Sequence, residues 1–376
     1  MRTTWTALLI LATGLAAFGQ RGQGTPNPVS PEVHPDRRVT FRIRAPEADK
    51  VMLVDGGLIE ALGGPQELTR GDDGVWSITV GPLAPGIYDY GFSIGDSARV
   101  ADPGNRNLIR RTWGPTSFVE VPGDEPQVYT IRDVPHGGVT THTYHSKSLN
   151  VVRQFLVYTP PGYQRSDATY PVLYLYHGGG GGETQWTTVG RANIILDNLI
   201  ADGKAVPMLI VMPYGHVPAR EGGSANEDVE KDLLGDVMPM VERLYRVKAD
   251  RANRALAGLS MGGGISINVG LKRLDTFAWV GEFSSGMFGG VGGYPIPADF
   301  EKISPGFFDD PAATNKRLRL LFFSCGTEDP RMPFQTKTAE ELRNRGIEVT
   351  FKGYPGAHEW KVWRNSLADI APLLFR

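Results

Sequence analysis

A serine set between glycines is the first place where this chain could do chemistry. Gly258-Leu259-Ser260-Met261-Gly262 follows the short apolar run Ala255, Leu256, Ala257 and leads into a helix-compatible segment. The spacing has the form of a nucleophile elbow, in which a serine hydroxyl stands exposed on a tight strand-to-helix turn and the next N–H faces a developing oxyanion. A side chain at Gly258 or Gly262 would collide across that turn. A hydroxyl is a weak nucleophile alone, so the chemistry also needs a base and a group to orient it. His358, in Tyr354-Pro-Gly-Ala-His-Glu-Trp360, is the candidate base. Asp329, in Cys325-Gly-Thr-Glu-Asp-Pro330, is the candidate acid that would hold the imidazole tautomer and stabilise its charged form. Glu328 is the neighbouring alternative, while Asp309 and Asp310 precede the strand and are worse placed.

A second oxyanion donor is expected from Tyr174-Leu-Tyr-His-Gly-Gly-Gly-Gly-Gly182, where a strand runs into five glycines. Without side chains, a peptide N–H of Gly178 or Gly179 can approach a carbonyl oxygen and join the Met261 N–H. A flexible hairpin and a phosphate loop are the other readings of such a run. No Lys-Ser or Lys-Thr pair follows the glycines, which counts against phosphate. Gln185 and Trp186 come next and are candidates for lining the acyl pocket, although the tryptophan equally suits a core position. His216 suits a structural role. There is no H-E-x-x-H and no Cys/His cluster, so neither a metal nor another cofactor is expected.

The elements that must carry these residues read as two kinds of structure. From Val39, apolar Val39, Phe41 and Ile43 alternate with Thr40, Arg42 and Arg44, the period of a half-buried strand. Further short strands at 51–54, 75–80, 87–94 and 117–121, with turn signals between them, predict a small all-β sandwich over 36–123. Its Trp76, Tyr88 and Tyr90 suit either core packing or a sugar-stacking platform. After a connector over 124–148, residues 149–376 alternate apolar strands with helical patterns. Strands are expected near 151–158, 172–176, 208–212, 278–283, 318–325 and 349–354, and helices near 190–201, 226–245, 336–345 and 359–375. This alternation predicts an α/β domain, a mostly parallel, doubly wound sheet with helices on both faces. Both Asp329 and His358 then follow strands, where such sheets place functional groups. The Gly/Pro/aromatic stretch 286–310, containing Tyr294, Phe300, Phe307 and Phe308, suits a lid or a plain surface loop.

The 376 residues are enough for two cores. With a net charge of −2 and no long run of one sign, nucleic acid is excluded as an expected partner and a membrane-surface role lacks electrostatic support. Arg2, the apolar stretch Trp5 to Phe18 and the small residues before Gln20 read as a signal peptide over 1–19, followed by a Pro-rich linker over 20–35. The expected location is therefore secreted or periplasmic, without a membrane anchor. Cys325 is the single cysteine, so no internal disulfide is available.

Residues 140–376 resemble the esterase D-type branch of the α/β-hydrolases, in particular bacterial feruloyl and acetylxylan esterases of carbohydrate esterase family one. The resemblance is carried by Tyr158-Thr-Pro-Pro-Gly-Tyr163, His177 with the glycines after it, Trp186, Leu196-Asp-Asn-Leu-Ile200, Pro207-Met-Leu-Ile-Val-Met-Pro213, Ala257-Gly-Leu-Ser-Met-Gly-Gly263 and His358-Glu-Trp360. The first region, through Val39-Thr-Phe-Arg-Ile-Arg-Ala-Pro46, Gly74-Val-Trp76 and Ile87-Tyr-Asp-Tyr-Gly-Phe92, resembles the early-set immunoglobulin-like domains that precede some polysaccharide-degrading enzymes. The resemblance implies an α/β-hydrolase fold and Ser260, Asp329 and His358 as a triad in that chain order. It implies hydrolysis of feruloyl or acetyl esters on plant cell-wall polysaccharide through an acyl-enzyme, with an acylated carbohydrate as partner. Acyl transfer to a sugar hydroxyl, or glycan binding without catalysis, are the other readings. The five-glycine loop departs from relatives that carry a larger residue there, which leaves the identity of the second donor open between Gly178 and Gly179.

Overall fold

The computed structural model describes residues 27–95, 99–219, 224–285 and 299–376. The expected signal peptide, Tyr294 and most of the 286–310 stretch lie outside the described residues.

The first region is built from two antiparallel sheets. One has the order β1 (Glu32–Val33), β2 (Val39–Arg44), β6 (Val75–Val80), β5 (Thr69–Arg70). The other runs β4 (Gln66–Glu67), β3 (Val51–Val54), β7 (Gly86–Ile94), β10 (Thr116–Val121), β9 (Leu108–Ile109), with β8 (Arg99–Val100) beside β7. Alternation turns Val39, Phe41 and Ile43 of one sheet toward Leu53, Tyr90 and Phe92 of the other, and these share one buried core. Trp76 and Tyr90 are core residues: the Trp76 indole donates to the Ala45 carbonyl (2.9 Å) and the Tyr90 hydroxyl to Asp102 (2.7 Å). A solvent-facing platform of the three aromatics is thereby ruled out, since two of its members face inward.

Two segments carry structure that the sequence does not announce. Residues 27–35 are anchored: β1 pairs with β2, and the buried Ser30 hydroxyl donates to Asp102 (2.6 Å). A short helix, α1 (Gly56–Leu62), interrupts the first region where no helical period is visible; the Asp89 carboxylate accepts the Gly57 N–H at 2.9 Å and satisfies a donor at its start.

The second region is an eight-stranded sheet in the order β11 (Gly138–Ser146), β12 (Val151–Thr159), β14 (Leu209–Pro213), β13 (Val172–Tyr176), β15 (Arg254–Leu259), β16 (Trp279–Phe283), β17 (Leu320–Gly326), β18 (Thr350–Tyr354). β11, β12 and β14 are joined antiparallel and the rest parallel. β11 occupies the last part of the 124–148 segment read as a connector. It is an edge strand whose Thr and His side chains are largely exposed, so it lacks the apolar alternation by which a strand is recognised. β13 to β16 are buried on both faces, as parallel strands covered by helices must be. Leu173 and Leu175 face a core closed by α2 (Ala192–Ala201) and the C-terminal helix α6 (Trp360–Ile370). Tyr174 and Tyr176 face the opposite core, under α3 (Ala225–Asp232), α4 (Met238–Leu244) and α5 (Met261–Lys272).

α3 and α4 were expected as one helix. A π-helical turn, Leu233–Val237, joins them. Pro239 has no N–H to return to the carbonyl of Gly235, and the widened turn accommodates that missing bond.

The two regions share apolar surface. Ile87, Ile109 and Phe118 of the sandwich and Tyr129 pack into the same cluster as Trp186, Trp360 and Trp363. The buried Arg364 lies 4.3 Å from the Tyr129 ring centroid, and Arg191 pairs with Glu120 at 2.8 Å.

Candidate active site

Ser260 sits between β15 and α5 with φ 51° and ψ −114°, a conformation that L residues rarely adopt. Its N–H donates to Phe283 O (2.8 Å) on the neighbouring strand, which holds the turn in place. The flanking glycines are required by space: a Cβ at Gly258 would lie 2.5 Å from the Gly262 carbonyl, and one at Gly262 2.6 Å from the carbonyl oxygens of Tyr176 and His177. Met261 is the first residue of α5, so its N–H has no intrahelical acceptor.

The loops after β17 and β18 bring the other two residues to this turn. Thr327 N–H donates to Tyr354 O (2.8 Å) and Glu328 N–H to Gly356 O (3.0 Å), so the two loops are stitched by their backbones. His358 Nε2 lies 3.0 Å from Ser260 Oγ, and His358 Nδ1 lies 2.7 Å from Asp329 Oδ2. With Asp329 accepting, Nδ1 carries the proton and Nε2 is free to accept one from the serine. The His358 ring is also set edge-on to Trp363 at 4.9 Å. Glu328, the alternative acid, is exposed and makes no bond to the imidazole.

Asp329 is buried, which by itself raises its pKa. Hydrogen bonds from His358 and from the backbone N–H and guanidinium of Arg331 outweigh that burial and hold the carboxyl at about 2. The carboxylate is therefore ionised across the whole physiological range. Beneath the elbow, Glu282 on β16 is fully buried, and burial pushes its carboxyl up to about 8 despite hydrogen bonds from Ser285 N–H (2.8 Å) and the Gln335 amide (3.2 Å). Sequence reading did not single it out, because a glutamate in an apolar strand carries no motif.

The glycine loop meets the elbow. Gly178 is buried, and a Cβ there would approach Ser260 Cβ to 3.4 Å; Gly179 faces open space. His177 Nε2 accepts the Gly215 N–H (2.9 Å), so Nδ1 carries the proton and donates to Gly178 O (2.8 Å). Burial of this ring lowers its pKa to about 3, which keeps it neutral. A trans peptide sets its N–H opposite its carbonyl. The Gly179 N–H consequently points away from the His177 ring. His216 packs against His177 at 5.4 Å between ring centroids, and its backbone carbonyl accepts from Arg153 (2.7 Å).

Ser260 and His358 open into a cavity of about 340 Å³. Gln185 lines it. Trp186 does not. The Trp186 side chain is 0% exposed, donates to Tyr176 O (2.9 Å) and packs edge-on to Trp360 at 5.3 Å, so it supports the wall from behind instead of meeting a substrate. The opposite side of the cavity belongs to the first region, including Ile87, Tyr88, Asp89, Arg111 and Trp113. None of these was predicted at the site, because nothing local in a strand or turn reveals which domain it will face. Among the described residues no group of three or more His, Cys, Asp or Glu is arranged to hold a metal ion, and no helix is long and apolar enough to cross a membrane.

Comparison with known proteins places the chain in a family. The family model named Esterase matches residues 146–374. A protein of Xylanibacter ruminicola named endo-1,4-beta-xylanase/feruloyl esterase is 33% identical over 369 residues, covering 93% of this chain and 47% of that protein. A Mycobacterium tuberculosis esterase is 33% identical over 246 residues, covering 54% of this chain and 52% of its own length. The chain thus spans about half the length of these two relatives. Among solved structures, a ferulic acid esterase superposes with TM-score 0.54 at 28% identity, covering 63% of this chain and 96% of its own. The enterobactin esterase of Shigella flexneri superposes with TM-score 0.62 at 17% identity over 89% of this chain and 92% of its own, a likeness of fold alone. The family model spans most of the second region, whose sheet is doubly wound, and the chain belongs to the Esterase family and has the α/β-hydrolase fold.

Proposed function

We propose that this protein hydrolyses carboxylic esters on plant cell-wall polysaccharide or its oligosaccharides, with Ser260 as nucleophile, His358 as general base and acid, and Asp329 as the group that orients the imidazole. The observation that carries this reading is the hydrogen-bonded chain Ser260 Oγ, His358, Asp329, at 3.0 and 2.7 Å, opening on a cavity. His358 Nε2 takes the serine proton as Oγ bonds to the acyl carbon, and the carbonyl oxygen becomes an oxyanion. Met261 N–H and Gly179 N–H, beside Gly178, receive that charge. The ester C–O bond then breaks and the leaving alcohol takes the proton from His358. Water repeats the sequence on the acyl-enzyme, releasing the acid and restoring Ser260.

The names and identities of the relatives support a polysaccharide-borne ester. The size of the cavity and its apolar inner surfaces, Ile87, Leu259 and Trp360, support a feruloyl-sized acyl group over acetyl. Export by residues 1–19 suits an enzyme whose polymeric substrate stays outside the cell. Replacement of Ser260 by Ala is expected to reduce turnover of methyl ferulate by about 10³-fold or more while leaving the melting temperature within a few degrees. Retained turnover would overturn the nucleophile assignment. Faster release of acetate from acetylated xylan than of ferulate from the methyl ester would reverse the acyl preference.

A further inference from the structure

The glycine loop is held from outside. Its Gly179 N–H is aimed by the peptide it belongs to, whose carbonyl, Gly178 O, accepts the His177 Nδ1 proton (2.8 Å). The far side of that ring is fixed in turn by the Gly215 N–H on Nε2 (2.9 Å). Whatever holds Gly215 therefore also holds the oxyanion donor. Gly215 follows the end of β14, and β12 runs past that end: Phe155 pairs with Pro213, so two steps further in the same register Arg153 comes opposite Gly215. The buried Arg153 guanidinium donates to His216 O (2.7 Å) and to Tyr214 O. Those two carbonyls flank Gly215. A planar fork thus grips the backbone on either side of the N–H that meets His177.

The guanidinium is itself fixed from the opposite side. Arg153 Nε is ion-paired with Asp232 at 3.0 Å, both side chains are buried, and Asp232 also accepts the Tyr144 hydroxyl (2.8 Å). Asp232 is the last residue of α3, immediately before the π-helical turn. The Tyr214 ring lies 5.4 Å from the guanidinium carbon and stacks on His177 at 5.5 Å between ring centroids. A buried ion pair of this kind adds little net stability, so its effect is sought in what it orients. Its charge acts on the ring as well. Burial first, and then His216 and the positive charge of Arg153, oppose protonation of His177, so Nε2 stays an acceptor. A protonated ring would set an N–H against the Gly215 N–H and release the segment.

We infer that Arg153, held by Asp232, is a positioning residue for the oxyanion hole: it locks the segment 214–216 and, through Gly215 and His177, sets the direction of the Gly179 N–H. This rests on the esterase reading above. Two variants of the full chain test it. Arg153→Lys keeps the charge but cannot grip both carbonyls. Arg153→Met combined with Asp232→Asn removes the guanidinium without leaving a buried charge unpaired. Turnover of methyl ferulate is measured beside inhibition by an aryl trifluoromethyl ketone, whose adduct with Ser260 carries the same oxyanion. In both variants kcat is expected to fall by about tenfold or more with KM within about threefold of natural, and the inhibitor to weaken by a similar factor. The inhibition constant does not depend on the fraction folded. An unchanged kcat would overturn the inference, and so would a fall in kcat that leaves the inhibition constant within about twofold. A third measurement needs no substrate: hydrogen exchange of the amides in 177–182 is expected to be at least about fivefold faster in Arg153→Lys. Equal exchange would overturn the inference. Should the natural protein hydrolyse no ester, the esterase reading fails, and the exchange result alone decides whether Arg153 holds the loop.

Discussion

Asp329 illustrates how one side chain reads its surroundings. Burial alone would raise its pKa, yet three donors from His358 and Arg331 outweigh that and hold the carboxyl at about 2. Because the folded pKa lies below the ordinary 3.8, the stability Asp329 contributes is present above about pH 4 and is lost as pH falls through 2. In Asp329→Asn the imidazole can be held in the wrong tautomer, so kcat is expected to fall by about 10³-fold or more with little change in KM. The same variant should lose less melting temperature between pH 4 and 2 than the natural protein. A kcat within tenfold of natural would remove Asp329 from the machinery.

At the scale of elements, the strand-turn-helix from β15 to α5 is built around backbone contacts too close for any Cβ. Gly262→Ala would press a methyl group onto the carbonyls of Tyr176 and His177. Chemical denaturation should show a loss of roughly 3 kcal/mol, or no folded protein at all. Next to this turn, β16 carries Glu282, whose folded pKa of about 8 lies above the ordinary 4.5. The native state therefore holds a proton that the unfolded chain has released. This contribution to stability is complete below about pH 4.5 and declines as pH rises through 8. Glu282→Gln keeps the shape and removes the titration, so its melting temperature is expected to vary less between pH 5 and 8. An identical slope in the two proteins would show that Glu282 does not titrate there.

Across the whole molecule, one apolar cluster joins the sandwich to the esterase sheet through Ile87, Ile109, Phe118 and the tryptophans at 186, 360 and 363. Regions that share a core of this kind lose it together. Scanning calorimetry of the full chain is expected to show a single unfolding transition, and two resolved transitions would show that the interface contributes little. The same packing sets Tyr88 and Trp113 on the cavity that holds Ser260, so that cavity is complete only when both regions are present.

What local physics can write into spacing was readable before any fold was known. The elbow was legible because only glycine tolerates its contacts. The parallel strands were legible because burial on both faces demands unbroken apolar runs. The order of Ser260, Asp329 and His358 was legible from loops that follow those strands. Tertiary structure alone decided whether these residues meet, because the 3.0 and 2.7 Å bonds depend on two loops stitched together far along the chain. It decided Trp186, which suited a pocket wall and the core equally, in favour of the core, and it put Trp113, which no motif marks, on the cavity that holds Ser260. Periodicity tells which face of an element is buried, but the partner that buries it is chosen by packing between segments distant in sequence.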